Sequence, residues 1–383
     1  MELLLKGYCL LSLLMVFYVY AGYPLSIFFL SLMMGKRVSK KDYFPTVTLV
    51  SAAYNEAAII GKSIENKLQM DYPPEKMEYI IVSDASDDGT DDIVRQYASR
   101  GVTLLRQGER MGKTAALNLA ARKASGEILV FADANSMFER ETLRRLLQNF
   151  HDTEVGYVTG KMIYVNESGA AIGDGCSSYM RYENTLRTYE TRLGSIVGVD
   201  GGVDAVRRRL YSEMKNDQLP DFVLPLHVVA QGYRVVYEPS ALLKEGVLSD
   251  TADEYKMRVR VALRAFWALR DMRHLLFPER FGLFSWQLWS HKVLRYLCFI
   301  FLASAFFSNL MLWDTGALFL VTLCLQVCLY LGALGALVLE KKGVGNRLLT
   351  LCHYFVVVNL ASAHAFMKYL WGQKVVIWNP RKG

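Results

Sequence analysis

The stretch Glu127-Ile-Leu-Val-Phe-Ala-Asp133-Ala-Asn135 decides the fold class of this chain. Its apolar run is typical of a buried β-strand, and the strand ends in a carboxylate that is followed two residues later by an amide oxygen. Oxygen ligands at the C-terminal end of a strand suit a divalent cation that is held against a diphosphate. Because Asp and Asn are also common in ordinary turns, the motif must be judged together with the segments around it.

Strand and helix patterns alternate on both sides of this stretch. Strands are predicted at residues 46–52, 78–83, 102–106 and 127–132, and helices at residues 60–68, 91–98, 113–123 and 139–150. This alternation predicts an α/β fold with a doubly wound, mostly parallel, Rossmann-like sheet. Ligands bind beyond the C-terminal strand ends of such sheets, which places Glu56, Asp84, Lys113 and Asp133 at one rim.

These rim residues have the chemistry of a nucleotide-diphosphate site. Asp84 can accept a hydrogen bond from the imide N–H of a uracil, and Asp133 with Asn135 can ligate Mg²⁺ or Mn²⁺. Lys113 begins a predicted helix, where a cation is unfavourable unless an anion is bound beside it. Each residue alone also fits a solvated turn or helix start, and only their convergence favours a ligand site.

Uncharged segments lie on both sides of this domain in a chain of 383 residues that is 52% hydrophobic. Residues Tyr8–Met34 are long enough to span a bilayer and too long for the apolar core of a signal peptide. Four basic residues follow directly: Lys36, Arg37, Lys40 and Lys41. The positive-inside rule then predicts an integral membrane protein with its N-terminus outside and its α/β domain in the cytoplasm.

Further uncharged segments follow the domain at Tyr296–Trp313, Thr315–Leu339 and Leu348–Met367. The basic link 340–347 fits a cytoplasmic turn after the first two, but a third span would put the basic tail outside, so two to three spans are expected. Aromatic and basic residues mix in Phe277–Lys292, which predicts an interfacial helix. The expected organisation is an anchor at 1–41, the α/β domain at 42–273, the interfacial helix at 274–293, a membrane region at 294–371 and a tail at 372–383.

Charge and cysteine content narrow the functional class. The formal net charge of +7 is spread along the chain and beside the membrane segments, where anionic lipid accounts for it, so no nucleic-acid partner is expected. The six cysteines show no metal-binding spacing, which indicates inert thiols in a reducing compartment.

Seven motifs follow one another in a specific order. They are Ser51-Ala-Ala-Tyr-Asn-Glu56, Val82-Ser-Asp-Ala-Ser-Asp-Asp-Gly-Thr90, Gly112-Lys-Thr-Ala-Ala-Leu-Asn118, Phe131-Ala-Asp-Ala-Asn135, Gly198-Val-Asp-Gly-Gly202 with Arg207-Arg208, Asp221-Phe-Val-Leu-Pro225 and Gly232-Tyr-Arg-Val-Val-Tyr-Glu-Pro239. This order resembles membrane-integrated family 2 glycosyltransferases of the GT-A fold, such as cellulose, chitin and hyaluronan synthases. The resemblance covers about residues 46–273 and the flanking spans.

The resemblance implies a donor site for a UDP-sugar. It implies that Ala53, Glu56 and Asp84 hold the nucleobase and the ribose. Lys113 would bind the diphosphate.

The resemblance also implies a metal site and an acceptor side. Asp133 would contact the diphosphate and Mg²⁺ or Mn²⁺, while Asn135 stands where the family often has a second aspartate. Gly201, Gly202 and Phe222 belong to motifs on the acceptor side.

Asp221 matches the residue that acts as general base in this inverting family. An acceptor hydroxyl must lose its proton as it attacks the anomeric carbon, and a positioned carboxylate can take that proton. The cation and Lys113 would stabilise the leaving UDP. Asp217 is the second candidate base, and Asp221 also fits the cap of a helix.

Two positions depart from the family pattern. Asp221 is a single acid where the family often has two. The family motif Gln-x-x-Arg-Trp reads Met257-Arg-Val-Arg-Val261, which keeps Arg260 for the diphosphate but lacks the tryptophan that stacks on the acceptor sugar of processive synthases. Phe266 or Trp267 would be its substitute, and Arg264 shares a helical face with Arg260 without a decided role.

The expected function is transfer of a hexose or N-acetylhexosamine from a UDP-sugar to a hydroxyl of a polysaccharide or lipid-linked sugar at the membrane. Processive synthesis and a partner protein for export are both left open. One alternative is single addition to a polyprenyl phosphate, whose phosphate would suit basic residues at the membrane interface: Arg273, Arg280, Lys292 and Arg295. The other is a non-catalytic scaffold of a secretion complex.

Overall fold

The computed structural model describes residues 1–165, 175–246, 251–340 and 346–375. Most of the predicted basic link at 340–347 and of the predicted tail at 372–383 lies outside these residues.

A long apolar helix leads into the α/β domain. It runs as α1 (Glu2–Phe17), a π-helical turn (Tyr18–Gly22) and α2 (Tyr23–Met34). Pro24 lies two residues after the π-helical turn, and because proline lacks the N–H that continues a helix, the change of helical pitch at this place has a local cause.

The segment after this helix is tied to the domain by ion pairs. Lys36 Nζ lies 2.5 Å from Glu154 Oε2, and Lys40 Nζ lies 2.5 Å from Glu238 Oε2. The basic residues predicted to flank the first span therefore lie on the side of the span where the domain is.

A mixed sheet of eight strands forms the centre of the domain in the described residues. The strands are β1 (Val47–Ala53), β2 (Met77–Ser83), β3 (Val102–Arg106), β4 (Ile128–Ala132), β5 (Met137–Phe138), β6 (Val155–Val165), β7 (Val203–Arg207) and β8 (Arg234–Gly246). They lie in the order β3-β2-β1-β4-β7-β6-β8-β5. The first four are parallel, whereas β7 is antiparallel to both of its neighbours and β5 is antiparallel to β8. The predicted α/β fold is confirmed, and the antiparallel strands lie in the half of the sheet beyond β4.

Helices pack on both faces of this sheet. They are α3 (Ile60–Leu68), α4 (Thr90–Arg95), α5 (Lys113–Lys123), α6 (Thr142–Leu147), α7 (Gly175–Leu193), α8 (Pro220–Ala230) and α9 (Thr251–Asp271). Strand β1 shows why both faces are apolar. Val50 and Ala52 pack in the same core as residues of α5, α8 and α9, while Leu49 and Ala53 pack in the core that contains residues of α3, α4 and α6.

The C-terminal part is a series of apolar helices. They are α10 (Pro278–Phe281), α11 (Leu283–Leu288), α12 (Leu294–Tyr296), α13 (Cys298–Leu312), α14 (Ala317–Glu340) and α15 (Arg347–Leu370). Among the described residues, three helices are long and apolar enough to cross a membrane: Glu2–Met34, Ala317–Leu339 and Arg347–Leu370. A fourth span results if Leu283–Tyr296 and Cys298–Leu312, which are bent by 57° to each other, count as one.

The segment predicted as one interfacial helix is divided in the structure. Gly282, with a φ of 52°, separates α10 from α11, and a π-helical turn at Trp289–Val293 precedes α12. Phe284 and Leu288 are buried rather than displayed to a headgroup layer. This segment therefore packs against the domain along one side.

Candidate active site

A cleft of about 950 Å³ opens at the C-terminal ends of the parallel strands. Six of the predicted site residues line it: Glu56, Lys113, Asp133, Asn135, Asp221 and Arg260. They come from the loop after β1, the start of α5, the loop after β4, the start of α8 and the middle of α9. The sheet topology thus assembles residues that lie up to about 200 positions apart in sequence, as expected at the carboxyl edge of a parallel sheet.

Lys113 connects Asp133 and Asp221, two of the acidic residues that line the cleft. Its Nζ donates to Asp133 Oδ1 at 2.7 Å and lies 3.7 Å from Asp221 Oδ1. Burial alone would lower the pKa of Lys113, but the charges of Asp133 and Asp221 outweigh it and raise the pKa. Lys113 therefore keeps its charge at the helix start, with carboxylates at the place where an anion is expected.

Asp221 lies in the first turn of α8, after Leu219 as N-cap and Pro220 as first helical residue. Its side chain caps no backbone group, so the helix-cap alternative is wrong in this structure. Burial raises the pKa of Asp221, the ammonium of Lys113 opposes this rise, and Asp133 adds to it. A carboxylate with a raised pKa is a stronger proton acceptor than an ordinary aspartate.

The predicted acceptor-side glycines lie between the two carboxylates. Gly201 has a φ of +79°, and a Cβ there would lie 2.7 Å from Asp221 Cγ. Gly202 has a φ of +80°, and a Cβ there would lie 3.4 Å from Asp133 Oδ2. Both residues adopt the left-handed conformation that glycine tolerates at little cost, and neither leaves room for a side chain.

Asp84 lies behind the cleft rather than in its wall. It is fully buried, and its carboxylate accepts from the backbone N–H of Met111 at 2.7 Å and of Gly112 at 2.9 Å. Its own N–H donates to Ala53 O at 2.8 Å, and Ala53 is fully buried as well. In this structure Asp84 fixes the loop that leads into Lys113.

Glu56 lines the cleft, and the pKa of its carboxyl group lies near neutral pH. Its pKa is raised to about 7, first by burial and then by the charges of Asp133 and Asp88. Its backbone N–H donates to Thr90 Oγ1 at 2.9 Å, which joins the loop after β1 to the start of α4.

The loop that carries Asp133 and Asn135 is supported from below by a buried lysine that the sequence reading missed. Lys67, fully buried on α3, donates to Ser63 Oγ at 2.8 Å and to the carbonyl oxygen of Ser136. Burial lowers the pKa of Lys67 to about 7. The apolar pattern of α3, carried by residues such as Ile60 and Ile64, does not predict this role for Lys67.

Arg260 and Arg264 of α9 both line the cleft but differ in burial. Arg260 is half-buried in the cleft wall. Arg264 also lines the cleft, is only 7% exposed and donates to Gln218 O at 2.5 Å in the loop before α8. Burial lowers the pKa of Arg264 to about 10. Arg264, whose role the sequence left open, is therefore part of the site and not of the surface.

Four other predicted residues lie outside the cleft wall. The carboxylate of Asp217 forms an ion pair with Lys374. Phe266 and Trp267 pack against Tyr369 of α15, with ring centroids 5.7 Å and 4.8 Å away. Phe222 is buried in the core, although its ring lies 5.9 Å from Lys292 Nζ.

Two acidic residues around the glycine pair were also missed. Asp200 lines the cleft and forms two hydrogen bonds of 2.5 Å with Arg187. Asp204, on β7, is 1% exposed, and burial together with the charge of Asp221 raises its pKa to about 8. The sequence Asp200-Gly-Gly-Val-Asp204 contains both, but only the antiparallel pairing of β7 with β4 shows that Asp204 lies opposite Phe131, two residues before Asp133.

Asp133 and Asn135 fit a cation that takes most of its oxygen ligands from water and from substrate phosphates. The described residues contain no cluster of three or more His, Cys, Asp or Glu side chains arranged for a metal. Asp133 and Asn135 offer one carboxylate and one amide oxygen. Mg²⁺ is commonly held by one or two carboxylates together with water and substrate phosphates, so these two residues fit such a cation.

Comparison with known proteins agrees with this geometry. Residues 48–214 match the model of glycosyl transferase family 2. The poly-beta-1,6-N-acetyl-D-glucosamine synthase of Staphylococcus aureus is 26% identical over 270 residues, which cover 67% of this chain and 65% of that protein. The glycosyltransferase AglE of Haloferax volcanii is 29% identical over 137 residues, covering 35% of this chain and 45% of that protein. The chain thus spans somewhat less than two thirds of the length of the polysaccharide synthases it matches.

A solved structure resembles nearly the whole chain. The mannosyltransferase PcManGT from Pyrobaculum calidifontis, in complex with GDP-Man and Mn²⁺, superimposes with a TM-score of 0.74 at 24% identity, covering 96% of this chain and 99% of that one. The likeness establishes the fold. Residues 48–214 thus resemble a family 2 glycosyltransferase domain, the chain has the GT-A fold, and its long apolar helices support a membrane protein.

Proposed function

We propose that this protein transfers a sugar from a nucleotide-diphosphate donor to an acceptor hydroxyl at the membrane, with Asp221 as general base. The observation that supports this most directly is the position of Lys113 between Asp133 and Asp221, at 2.7 Å and 3.7 Å. One ammonium group separates the carboxylate at the donor side from the carboxylate that would take the proton. Acceptor attack and departure of the diphosphate require these two functions close together.

The groups around Asp221 set its pKa and so its strength as a base. Burial raises the pKa of Asp221 while the nearby charge of Lys113 keeps its ionised form accessible. Asp221 would accept the proton of the acceptor hydroxyl during attack, and the anomeric configuration would invert. Lys113 would stabilise the negative charge that develops on the diphosphate.

The donor is proposed to be a UDP-sugar. Arg260 and Lys113 would bind its diphosphate, and Glu56 would face the ribose. For Asp84 and Ala53 we propose an indirect role, because Asp84 is engaged with the amides of Met111 and Gly112. Mg²⁺ or Mn²⁺, held by Asp133 and Asn135, would neutralise charge on the leaving diphosphate.

The acceptor is proposed to be a growing polysaccharide of hexose or N-acetylhexosamine units. The similarity to poly-beta-1,6-N-acetyl-D-glucosamine synthases supports this choice. Because Gly201 and Gly202 carry no side chain, none would stand between an acceptor hydroxyl and Asp221, which Phe222 follows in the chain. A partner protein for export belongs to this proposal if the product is a polymer.

The orientation proposed is the one expected from the sequence, with the N-terminus outside and the domain in the cytoplasm. The ion pairs of Lys36 and Lys40 with the domain support it, because they keep the basic flank of the first span on the domain side. Accessibility of a single cysteine introduced at Glu2 or at Asp92 to an impermeant thiol reagent in intact cells tests it. Labelling at position 92 but not at position 2 would contradict the proposal.

The substitution Asp221→Asn tests the proposed base. We expect it to preserve UDP binding and to lower transfer by about 100-fold or more, because the amide cannot take a proton. The matched control is Asp217→Asn, which changes the second candidate base outside the cleft and should leave transfer close to the wild-type rate. Unchanged turnover in Asp221→Asn, or loss of turnover in Asp217→Asn alone, would contradict the assignment.

A further inference from the structure

A second cavity of about 1130 Å³ adjoins the cleft. The two cavities share walls formed by Met162, Asp200, Met257 and Val261. The opposite wall includes Val358 and Ser362 of α15, one of the helices long and apolar enough to span a membrane. We call this second cavity the basic chamber, because of the charges described next.

Cations exceed carboxylates in the wall of the basic chamber. The wall carries Arg187, Arg258, Lys292 and Arg295 against Glu183 and Asp200. Two of the cations are neutralised at short range, since Arg187 is hydrogen-bonded to Asp200 at 2.5 Å and Arg295 to Glu183 at 2.5 Å. Arg258 is paired with Glu254, which does not line the chamber, at 3.1 Å, so the excess positive charge of the chamber comes from Lys292.

Lys292 lies close to Phe222 and Gly198. Its ammonium lies 5.9 Å from the ring of Phe222, the residue next to Asp221, and a Cβ on Gly198 would approach it to 2.5 Å. Within the described part of the chain, this ammonium forms no hydrogen bond and no ion pair. An ammonium without a direct partner in a cavity is a binding point for an anion.

Arg258, which also lines the basic chamber, offers a second donor without an acceptor in the described residues. One of its terminal nitrogens donates to Glu254 at 3.1 Å, but its Nε–H is buried and has no hydrogen-bond partner in the described residues. The guanidinium stacks on Tyr179 and Tyr354, at 5.7 Å and 5.0 Å from the ring centroids. Stacking fixes the orientation of this donor group, and a buried N–H without a partner is costly unless a ligand supplies the acceptor.

We propose that the basic chamber binds the phosphate group of a lipid, with Lys292 and Arg258 as its ligands. The headgroup would lie within reach of the donor cleft through the shared walls, and the lipid chain would leave along α15. The inference rests on the proposed function, because it makes this lipid either the carrier of the acceptor or a phospholipid that lies next to it. Phosphate is the chemistry common to both, and the experiment separates the two sources.

The test uses the full-length protein in nanodiscs of an uncharged lipid mixture. Retention of a polyprenyl phosphate, of the polyprenol of the same chain length and of phosphatidylglycerol is measured by native mass spectrometry over a range of lipid concentrations. The variants are Lys292→Gln and Arg258→Gln, with Arg280→Gln as matched control, because Arg280 is an exposed cation on the preceding helix and does not line the chamber. UDP binding is measured on the same preparations.

The wild-type protein is expected to retain the polyprenyl phosphate over the polyprenol. Lys292→Gln should weaken phosphate binding by about tenfold or more, as loss of one charge-assisted hydrogen bond predicts, and Lys292→Arg should restore it. Arg280→Gln should bind as the wild type does, and UDP binding should be unchanged in all variants. Should Lys292→Gln fail to fold, Arg258→Gln carries the same comparison.

Competition decides the source of the phosphate. If phosphatidylglycerol displaces the polyprenyl phosphate at equal concentration, the chamber is a phospholipid site. If it does not, the chamber holds a lipid-linked acceptor. Equal retention of polyprenol and polyprenyl phosphate, or equal weakening by Arg280→Gln and Lys292→Gln, overturns the inference. Such a result leaves the proposed function intact, because that function fails only if Asp221→Asn still transfers sugar.

Discussion

Asp204 makes the stability of the domain depend on pH in a direction that one substitution can reveal. The residue is 1% exposed on β7, and its burial raises the pKa from 3.8 to about 8, with a further contribution from Asp221. The folded protein therefore keeps this carboxyl protonated at neutral pH, whereas the unfolded chain ionises it. Because the unfolded state binds fewer protons in this window, the free energy of unfolding falls as the pH rises from 3.8 to about 8.

The size of the effect follows from the width of that window. Each pH unit inside it costs about 1.4 kcal/mol, so wild-type stability falls by about 3.5 kcal/mol between about pH 5 and about pH 8 from this residue alone. Asn has nearly the same shape and does not ionise, so Asp204→Asn removes this dependence. For a domain of this size the difference amounts to about 7–14 °C in Tm.

The assay is thermal unfolding of the purified protein and of Asp204→Asn in the same detergent at both pH values. The advantage of the variant in Tm should grow by about 10 °C from about pH 5 to about pH 8. Asp92→Asn, at a side chain that is 78% exposed, is the control and should show no such growth. A Tm difference between Asp204→Asn and the wild type that is the same at both pH values would refute the reasoning.

Two further substitutions address the cleft itself. Gly201→Ala places a Cβ 2.7 Å from Asp221 Cγ at a φ of +79°. We therefore expect transfer to fall about tenfold or more while the affinity for UDP is preserved. Gly89→Ala is the control, because a Cβ there would have no atom within 4 Å, and this variant should transfer sugar at the normal rate. Transfer kinetics that do not change in Gly201→Ala would show that the backbone there does not position the base. Asp133→Ala should abolish both hydrolysis of the UDP-sugar and transfer, and a chelator should do the same to the wild type. Full activity of Asp133→Ala, or of the wild type in the presence of a chelator, would contradict the proposed metal site.

The part of the site that follows from local pattern was predictable. Strand β4 and helix α5 were expected from periodicity alone, and the rule that ligands bind at the carboxyl edge of a parallel sheet then brought Asp133 and Lys113 together. Asp221 required the resemblance to the family, because a single acid after Leu219-Pro220 has no spacing that distinguishes it from a helix cap.

Other features depend on contacts that sequence spacing does not contain. The carboxylate of Asp84 was expected to meet a nucleobase, and the two backbone amides that also bind it, from Met111 and Gly112, could not be inferred from spacing. The reversal of β7 next to β4, which buries Asp204, arises because the chain returns through α7 before it re-enters the sheet. Lys67 reads as an ordinary residue of an amphipathic helix, and only the fold shows that it supports the loop of Asp133 from within the core.

The stereochemistry of transfer tests the central claim most directly. The purified protein in nanodiscs is given each member of a panel of nucleotide sugars, and the product is examined by NMR for the configuration at its new anomeric carbon. The account predicts that a UDP-sugar is consumed and that its α linkage becomes β in the product, because Asp221 acts as a base on the acceptor and forms no bond to the sugar. Retention of the α configuration, or transfer from every nucleotide sugar except the UDP-sugars, would contradict it.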